Sequence, residues 1–230
     1  ATYRAQDIAI RPNGLTYRLE HPGGEVLVDL PMTGYYNAYN SLAALSTCLA
    51  VGISLPMAVK GLKKARPVPG RLEPIERGQD FTVLVDYAHN PASLENVLET
   101  VKGLTRGRSI VVFGCGGDRD KTKRPLMGEV AGRLADVVIV TSDNPRSEPP
   151  ELICEQIGIG VRRTIGNKPW EMIVQRHQAI KQAIQMARPG DSVLIAGKGH
   201  ETYQILKDKT IHFDDREEAA RALDERLESR

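Results

Sequence analysis

Residues 74–230 alternate between short apolar runs and longer amphipathic stretches, which predicts a regular succession of strands and helices. Turn residues or helix-starting residues follow most of the apolar runs. Strands that alternate with helices usually pair in parallel, so the pattern predicts an α/β fold with a mostly parallel sheet covered on both faces. The predicted strands are Phe81–Val85, Ile110–Phe113, Val137–Val140 and Ser192–Ala196; helices are predicted from Asn90-Pro91, over Pro125–Ala135, from Pro150, over Trp170–Ala187 and from Asp214, and a hairpin joins Tyr203–Leu206 to Ile211–Phe213.

The first 73 residues have a different pattern. Short extended segments come first, and they are separated by the turn signals Pro12-Asn13-Gly14, Pro22-Gly23-Gly24 and Pro31. Two amphipathic helices are predicted next, Asn37 to Val51 and Leu55 to Lys64. A stiff stretch of prolines follows, and the hydrophobic pattern changes after it. We therefore expect two domains, 1–73 and 74–230.

Composition excludes several classes of protein. The chain has 31 basic and 29 acidic residues, a net charge of +2 and no basic block, so nucleic acid is not an expected partner. Its apolar runs are shorter than the roughly 20 residues that span a bilayer, so no membrane segment is expected. Cys48, Cys115 and Cys154 form no CxxC pair, which argues against a disulfide framework or a zinc site. A cytoplasmic protein is the expectation.

Four polar motifs begin at or just after the predicted strands of the second domain. In open α/β sheets the ligand crevice lies outside the carboxyl ends of the strands, so these motifs should converge on one edge. Each could also be a simple turn with charged decoration. The motifs are Asp86–Asn90, Gly114–Lys121, Thr141–Arg146 and Gly197–Glu201.

The charged residues of three motifs suggest what the edge would bind. Arg119 and Arg146 carry guanidinium groups suited to a carboxylate or phosphate, and Glu201 is suited to an ammonium group. Asp143, Asn144 and Pro145 would form a rigid platform for Arg146, while Gly197 would allow close backbone approach. Together they suit a zwitterionic amino acid better than a purely anionic ligand.

Other residues suggest contact with a nucleotide. Asp86 could accept hydrogen bonds from ribose hydroxyls, whereas His89 is more often a structural residue than a base. Asn37 and Asn40 lie one turn apart at the start of a helix, where one could cap the helix and the other could contact adenine. Arg71 follows the proline-rich stretch and could contact a nucleotide between domains.

Gly114-Cys115-Gly116-Gly117 also resembles the glycine turn of a dinucleotide site. Arg119 stands where that pattern has its third glycine, and no acidic residue ends the next strand in a ribose-binding context. An NAD-dependent oxidoreductase domain is therefore the weaker alternative.

Six motifs together resemble the Mur ligase family and, within it, the MurE type. They occur in the family's order and spacing and extend over nearly the whole chain. The motifs are Asn37–Ala44, Gly70–Glu73, Val85–Pro91, Phe113–Lys121, Asp143–Arg146 and Gly197–Glu201.

The resemblance implies that residues 1–73 are the last part of a central ATP-binding domain and that 74–230 form a Rossmann-like domain that receives an amino acid. It implies ATP and Mg²⁺ as cofactors. Asn40, Arg71, Asp86 and His89 would contact the nucleotide. The residues that would bind meso-diaminopimelate are Arg119, Asp143, Asn144, Pro145, Arg146, Gly197 and Glu201.

The implied reaction joins meso-diaminopimelate to UDP-N-acetylmuramoyl-L-alanyl-D-glutamate during peptidoglycan precursor synthesis, through an acyl phosphate. Relatives that add L-lysine lack the arginine that corresponds to Arg146, because lysine has no distal carboxylate. A lysine-adding enzyme and a non-catalytic amino-acid-binding module remain the alternatives.

One feature of the family is missing. The family's phosphate loop, GxxxxGK[ST], occurs nowhere in the 230 residues. The family places it, together with a carbamylated lysine and the UDP-binding domain, before the region that corresponds to Ala1. We expect these 230 residues alone to be inactive as a ligase.

Overall fold

The computed structural model describes residues 2–229. The chain forms two compact units, Ala1–Val68 and Pro69–Arg230. The boundary predicted at residue 74 was therefore placed too late. Leu72 is buried in the core of the second unit, and Glu73 and Pro74 pair with one of its strands, so this segment belongs to the sheet that follows it.

The first unit is a three-stranded antiparallel sheet with two helices. Its strands are β1 (Arg4–Arg11), β2 (Gly14–His21) and β3 (Gly24–Leu30), in the order β1-β2-β3. The helices α1 (Tyr36–Ala50) and α2 (Leu55–Lys63) begin and end within one residue of the predicted bounds. Tyr17 is buried in the core between sheet and helices, and its hydroxyl forms a hydrogen bond with the Ser41 hydroxyl at 3.0 Å.

The second unit is the predicted α/β domain, and apart from the two short strands β4 and β8 its elements follow the order expected from the sequence. They are β4 (Glu73–Pro74), β5 (Thr82–Asp86), α3 (Pro91–Leu104), β6 (Ser109–Phe113), α4 (Lys123–Leu134), β7 (Val137–Val140), α5 (Pro150–Thr164), β8 (Trp170–Met172), α6 (Arg176–Met186), β9 (Ser192–Ala196), β10 (Tyr203–Ile205), β11 (Thr210–His212) and α7 (Asp215–Glu228).

The sheet order explains how distant motifs meet. The six strands lie in the order β4-β5-β9-β6-β7-β8, and all pairs except β4 with β5 are parallel. One apolar cluster packs α3, α4 and α5 against one face, and a second packs α6 and α7 against the other. Strand β9 is the last of these six strands along the chain, but it lies at the centre of the sheet, between β5 and β6.

The predicted helix Trp170–Ala187 was wrong in its first third. Apolar residues at 170, 173, 174 and 180 have helical spacing, but Trp170–Met172 forms the edge strand β8, paired in parallel with β7. The Ile173 amide then donates to the Val140 carbonyl at 2.9 Å, and the helix begins only at Arg176. Hydrogen bonding to β7 therefore overrides the local pattern.

Two glycines let α4 and α5 approach to backbone contact. A Cβ atom added to Gly160 would lie 1.8 Å from the Pro125 carbonyl oxygen, and one added to Gly128 would lie 2.1 Å from the Ile157 carbonyl oxygen. Neither backbone can move without separating the helices. Gly103 in α3 differs, because an added Cβ there meets nothing within 4 Å.

We expect Gly160→Ala to lower the free energy of unfolding by about 2–3 kcal/mol, because the added methyl group forces α4 and α5 apart. Gly103→Ala is the matched control. It should raise that free energy by up to about 1 kcal/mol, since alanine is the better helix former and the space is open. Urea unfolding measures both, and equal stability of the two variants would contradict this packing.

Candidate functional site

The carboxyl ends of four strands bring the polar motifs to one edge of the second unit. Because β9 lies between β5 and β6, the loops after β5, β6, β7 and β9 are neighbours. Asp86 and Ala196 are paired at the ends of their strands, as are Phe113 and Val140. The edge therefore carries the same four motifs that the sequence placed there.

Asn144 is the link between the loops after β7 and β9. Its side-chain oxygen accepts hydrogen bonds from Lys198 Nζ at 3.1 Å and from the Ile205 amide at 3.0 Å. Its Nδ2 donates to Glu201 Oε2 at 2.9 Å. Since both neighbours of the oxygen are donors, the orientation of the amide is fixed by its surroundings.

Asp143 is buried beside it. Its Oδ1 accepts a hydrogen bond from the Asn144 amide at 2.6 Å, and its carbonyl accepts one from Gln204 Nε2 at 2.6 Å. Gly197 has a φ of +118°, and a Cβ added there would lie 2.7 Å from Asp143 Oδ2. Gly197 is therefore required both for its backbone conformation and for the close approach of the two loops.

Arg146 is held in a strained conformation, with a φ of +53°. Its amide donates to the Ile205 carbonyl at 3.1 Å, and its Nη1 donates to the carbonyls of Gly117 at 2.9 Å and Asn144 at 3.3 Å. The preceding residue, Pro145, is buried. A Cβ atom added to Gly117 would lie 1.9 Å from the Pro145 carbonyl oxygen. Tight contact between the loops after β6 and β7 thus fixes the guanidinium group.

Arg119 and Arg146 flank the same glycine. A Cβ added to Gly116 would lie 2.9 Å from Arg146 Nη1 and 3.8 Å from Arg119 Cγ. Arg119 is exposed, and its one hydrogen bond among residues 2–229 goes to the neighbouring Asp118 carbonyl. Neither arginine forms an ion pair with Glu201 within that range, so both guanidinium groups remain available to a ligand.

The sequence analysis did not predict a set of hydrogen bonds that joins the loops carrying the two arginines, which is called the Glu148 clamp. The buried Arg124 donates to both oxygens of Glu148 at 2.9 Å, and Glu148 Oε1 also accepts the Asp118 amide at 2.7 Å. Ser147 adds two hydrogen bonds to the Asp118 carboxylate. Hydrogen bonds from Arg124, followed by that from the Asp118 amide, lower the pKa of Glu148 to about 2. The clamp ties the loop after β6 to the loop after β7.

The Glu148 clamp predicts a pH dependence of stability. Because the pKa of Glu148 falls from 4.5 to about 2 on folding, its contribution is complete above pH 4.5 and is lost as the pH falls through about 2. We expect Glu148→Gln to be less stable than the wild type at pH 7, and the difference to shrink steadily between pH 4.5 and 2. Urea unfolding at several pH values tests this, and a difference that is the same at pH 7 and pH 2 would contradict it.

A second buried ion pair supports the edge from within. Arg176 and Asp215 are both fully buried and form two hydrogen bonds of 2.7 Å. Arg176 also donates to the carbonyls of Ser142 at 3.3 Å and Ala196 at 2.9 Å, at the ends of β7 and β9. Burial works against the charge, but the neighbouring carboxylates, chiefly Asp215, raise the pKa of Arg176. No local pattern predicts this pair, because Arg176 and Asp215 are 39 residues apart in the sequence.

Three of the four nucleotide candidates lie in the second unit. Asp86 is 6% exposed, and its two oxygens accept hydrogen bonds of 2.8 Å from the amides of Leu72 and Ala88. Burial raises its pKa against those hydrogen bonds. Arg71 lies over the Tyr87 ring at 5.1 Å, and His89 contacts the Tyr87 carbonyl through Nδ1 at 2.9 Å; both side chains are exposed.

The fourth nucleotide candidate, Asn40, lies on α1 of the first unit. The expectation that Asn37 or Asn40 caps this helix was wrong, because Tyr35 is the N-cap residue and no side chain caps it. Asn37 Nδ2 instead donates to the Thr33 carbonyl at 2.7 Å, and Asn40 Nδ2 donates to Asn37 Oδ1 at 3.0 Å. Asn40 is exposed.

The described residues contain neither a cluster of metal-binding side chains nor a membrane-spanning helix. Between residues 2 and 229, no three His, Cys, Asp or Glu side chains come together as a metal site. None of the helices described is long and apolar enough to cross a bilayer.

Comparison with known proteins identifies the family. The model of the family described as "Mur ligase, glutamate ligase domain" matches residues 70–199, more than half of the chain. The chain therefore belongs to the Mur ligase family. The motifs at the sheet edge lie within this matched region or, in the case of Glu201, two residues beyond it.

The chain is similar to proteins named 2,6-diaminopimelate ligases and, in fold, to other ligases. The chain is 50% identical over 222 residues to the UDP-N-acetylmuramoyl-L-alanyl-D-glutamate–2,6-diaminopimelate ligase of Geobacillus kaustophilus, covering 96% of this chain and 45% of that protein. A solved structure of a ligase with the same name superposes with a TM-score of 0.74 at 38% identity, over 99% of this chain and 46% of that one. MurF ligase of Thermotoga maritima, solved with ADP, shares the fold at 17% identity, with a TM-score of 0.64, over 99% of this chain and 47% of that one. The chain thus spans about half the length of the relatives it matches.

Proposed function

We propose that this chain is the amino-acid-receiving part of a MurE-type ligase, which adds meso-diaminopimelate to UDP-N-acetylmuramoyl-L-alanyl-D-glutamate in peptidoglycan precursor synthesis in the cytoplasm. The observation that carries the proposal is the convergence of Arg119 and Arg146 on Gly116, with Asn144 linking the Arg146 loop to Glu201. Cations and a carboxylate thus lie at one sheet edge, as a zwitterionic ligand requires.

Each end of the distal amino-acid group has a counterpart in the site. Arg119 and Arg146 bind the distal carboxylate of diaminopimelate, and Glu201 binds the distal ammonium group. Asp143, Asn144 and Pro145 hold Arg146 in its left-handed conformation, and Gly197 allows the loop after β9 to approach Asp143. The other amino group of the ligand is left to attack the activated carboxylate of the dipeptide.

Arg146 favours diaminopimelate over L-lysine. Its Nη1 is used by two carbonyls, which orients the rest of the half-buried guanidinium group. Diaminopimelate brings a carboxylate to this cation, whereas lysine brings no group that can pair with it. A half-buried cation left unpaired costs about 1–3 kcal/mol, so the site discriminates against lysine.

ATP is the proposed second ligand, and when bound it supplies the phosphoryl group that activates the dipeptide carboxylate. In the second unit, the exposed side chains of Arg71 and His89 are suited to contact it. Asp86 holds the backbone at Leu72 and Ala88, so its proposed contribution includes fixing Arg71 beside Tyr87. By the family resemblance, Asn40 is the proposed adenine contact. Mg²⁺ is proposed as a cofactor only because the chain belongs to the Mur ligase family.

Calorimetric titration of the 230-residue chain with meso-diaminopimelate and, separately, with L-lysine tests the proposal. We expect measurable binding of meso-diaminopimelate and much weaker binding of L-lysine. Equal binding of the two, or a preference for lysine, would support the lysine-adding alternative and overturn the proposed specificity. Binding of neither would overturn the proposed site.

A further inference from the structure

Lys198 is a buried charge that the proposed function leaves without a role. Its side chain is fully buried, although an ammonium group is strongly hydrated in water and is costly to bury unless it is paired. It lies in the loop after β9, one residue beyond Gly197. A lysine in this position suggests a function that its partners should reveal.

The partners of Lys198 are two proposed ligand-binding residues. Its Nζ donates to Glu201 Oε2 at 3.0 Å and to Asn144 Oδ1 at 3.1 Å, and lies 5.5 Å from the centre of the Tyr203 ring. The Glu201 amide donates to the Lys198 carbonyl at 2.9 Å, which closes a turn and brings the two side chains together. Lys198, Asn144 and Glu201 thus form a closed triangle of hydrogen bonds.

Because of this triangle, the two oxygens of the Glu201 carboxylate have different hydrogen-bond partners. Oε2 accepts hydrogen bonds from both Lys198 Nζ and Asn144 Nδ2. No donor among residues 2–229 reaches Oε1, and the side chain is 17% exposed. The arrangement therefore presents one carboxylate oxygen to the outside while the other is anchored within the protein.

We propose that Lys198 is a positioning and specificity-determining residue, which anchors Oε2 of Glu201, leaves Oε1 for the ligand's ammonium group and offsets the charge of that carboxylate. This inference rests on the proposed function and deepens it. Asn144 keeps its orientation through Ile205 even without Lys198, so the distinct contribution of Lys198 is to the geometry and charge at Glu201.

The charge of Lys198 discriminates between the two amino acids. The distal group of diaminopimelate carries one positive and one negative charge, so its net interaction with a nearby single charge is small. The distal group of L-lysine is a cation alone, and the buried ammonium of Lys198 repels it. Removing Lys198 should therefore improve lysine binding while loosening the anchor that diaminopimelate uses.

Lys198→Met tests this by calorimetric titration of the full 230-residue chain with both amino acids. We expect the ratio of meso-diaminopimelate affinity to L-lysine affinity to fall by about tenfold or more. Lys198→Gln, which is also neutral but keeps a donor for Asn144, should show the same fall and serves if the methionine variant does not fold. Unfolding in urea reports on folding separately.

Lys168→Met is the matched control. Lys168 is partly buried and donates to the carbonyls of Gly132 and Ala135 at 2.9 and 2.7 Å. It lies just before β8, at the amino ends of the parallel strands and so away from the proposed site. Its replacement should lower stability and leave the affinity ratio unchanged. If Lys198→Met weakens both ligands equally, Lys198 is only structural and the inference is overturned while the proposed function stands. If the wild type binds neither ligand, both are overturned.

Discussion

Arg146→Met is expected to weaken meso-diaminopimelate binding by about 100-fold without weakening the binding of L-lysine. The guanidinium group is oriented by the Gly117 and Asn144 carbonyls, so the charge-assisted hydrogen bonds to a carboxylate form without further ordering. Two such bonds are worth about 3 kcal/mol, which corresponds to a factor of about 100 in affinity. Methionine has a similar length and the same backbone strain at a φ of +53°, so the change removes the charge together with the hydrogen bonds to the Gly117 and Asn144 carbonyls.

Arg163→Met provides the control for Arg146→Met. Arg163 lies on α5, is mostly exposed and pairs with Glu129 at 2.8 Å. Its replacement removes the same charge from the same unit and should leave both affinities unchanged. Titration calorimetry compares the variants. If Arg146→Met bound diaminopimelate as tightly as the wild type, Arg146 would have no part in the site.

Asp215→Leu is expected to lower the free energy of unfolding by about 3–5 kcal/mol, because it leaves the fully buried Arg176 guanidinium group without its counter-ion. Adding Arg176→Met to that variant should recover part of the loss, since the unpaired charge is then gone. The recovery should be incomplete, because the Ser142 and Ala196 carbonyls also lose their donor. Urea unfolding of both single variants and the double variant measures the coupling.

Lys181→Met is the control for this pair. Lys181 and Glu225 also join α6 to α7 by an ion pair, at 2.7 Å, but about half of each side chain is exposed. Solvent screens such a pair, so its removal should change stability little. If Asp215→Leu were no more destabilising than Lys181→Met, or if the double variant were the least stable, the buried pair would not have the supporting role described.

The parts of the fold that the sequence predicted depend on local chemistry. Asn90 caps α3 as predicted, with its side chain accepting a hydrogen bond from the Ser93 amide at 2.9 Å, and Pro91 takes the first helical position. Continuous apolar runs identified β6 and β7 because strands buried on both faces have no polar alternation. These signals are contained within a few consecutive residues.

The parts that the sequence did not predict depend on distant partners. The short edge strand β8 exists because of β7, and Leu72 belongs to the second unit because it is buried in that unit's core. Charged side chains usually lie at the surface, but those of Arg124, Arg176 and Lys198 are buried. Each is paired with a residue far along the chain, 24, 39 and 54 residues away, and Lys198 is also paired with the nearby Glu201. No local pattern in the sequence predicts the distant pairs.

A crystal structure of this chain with bound meso-diaminopimelate is the most direct test of the proposed site. The expected result is a distal carboxylate within about 3 Å of guanidinium nitrogens of Arg119 and Arg146, and a distal ammonium group within about 3 Å of Glu201 Oε1. A ligand bound away from the carboxyl ends of β6, β7 and β9, or bound there with its carboxylate at neither arginine, would contradict the proposal.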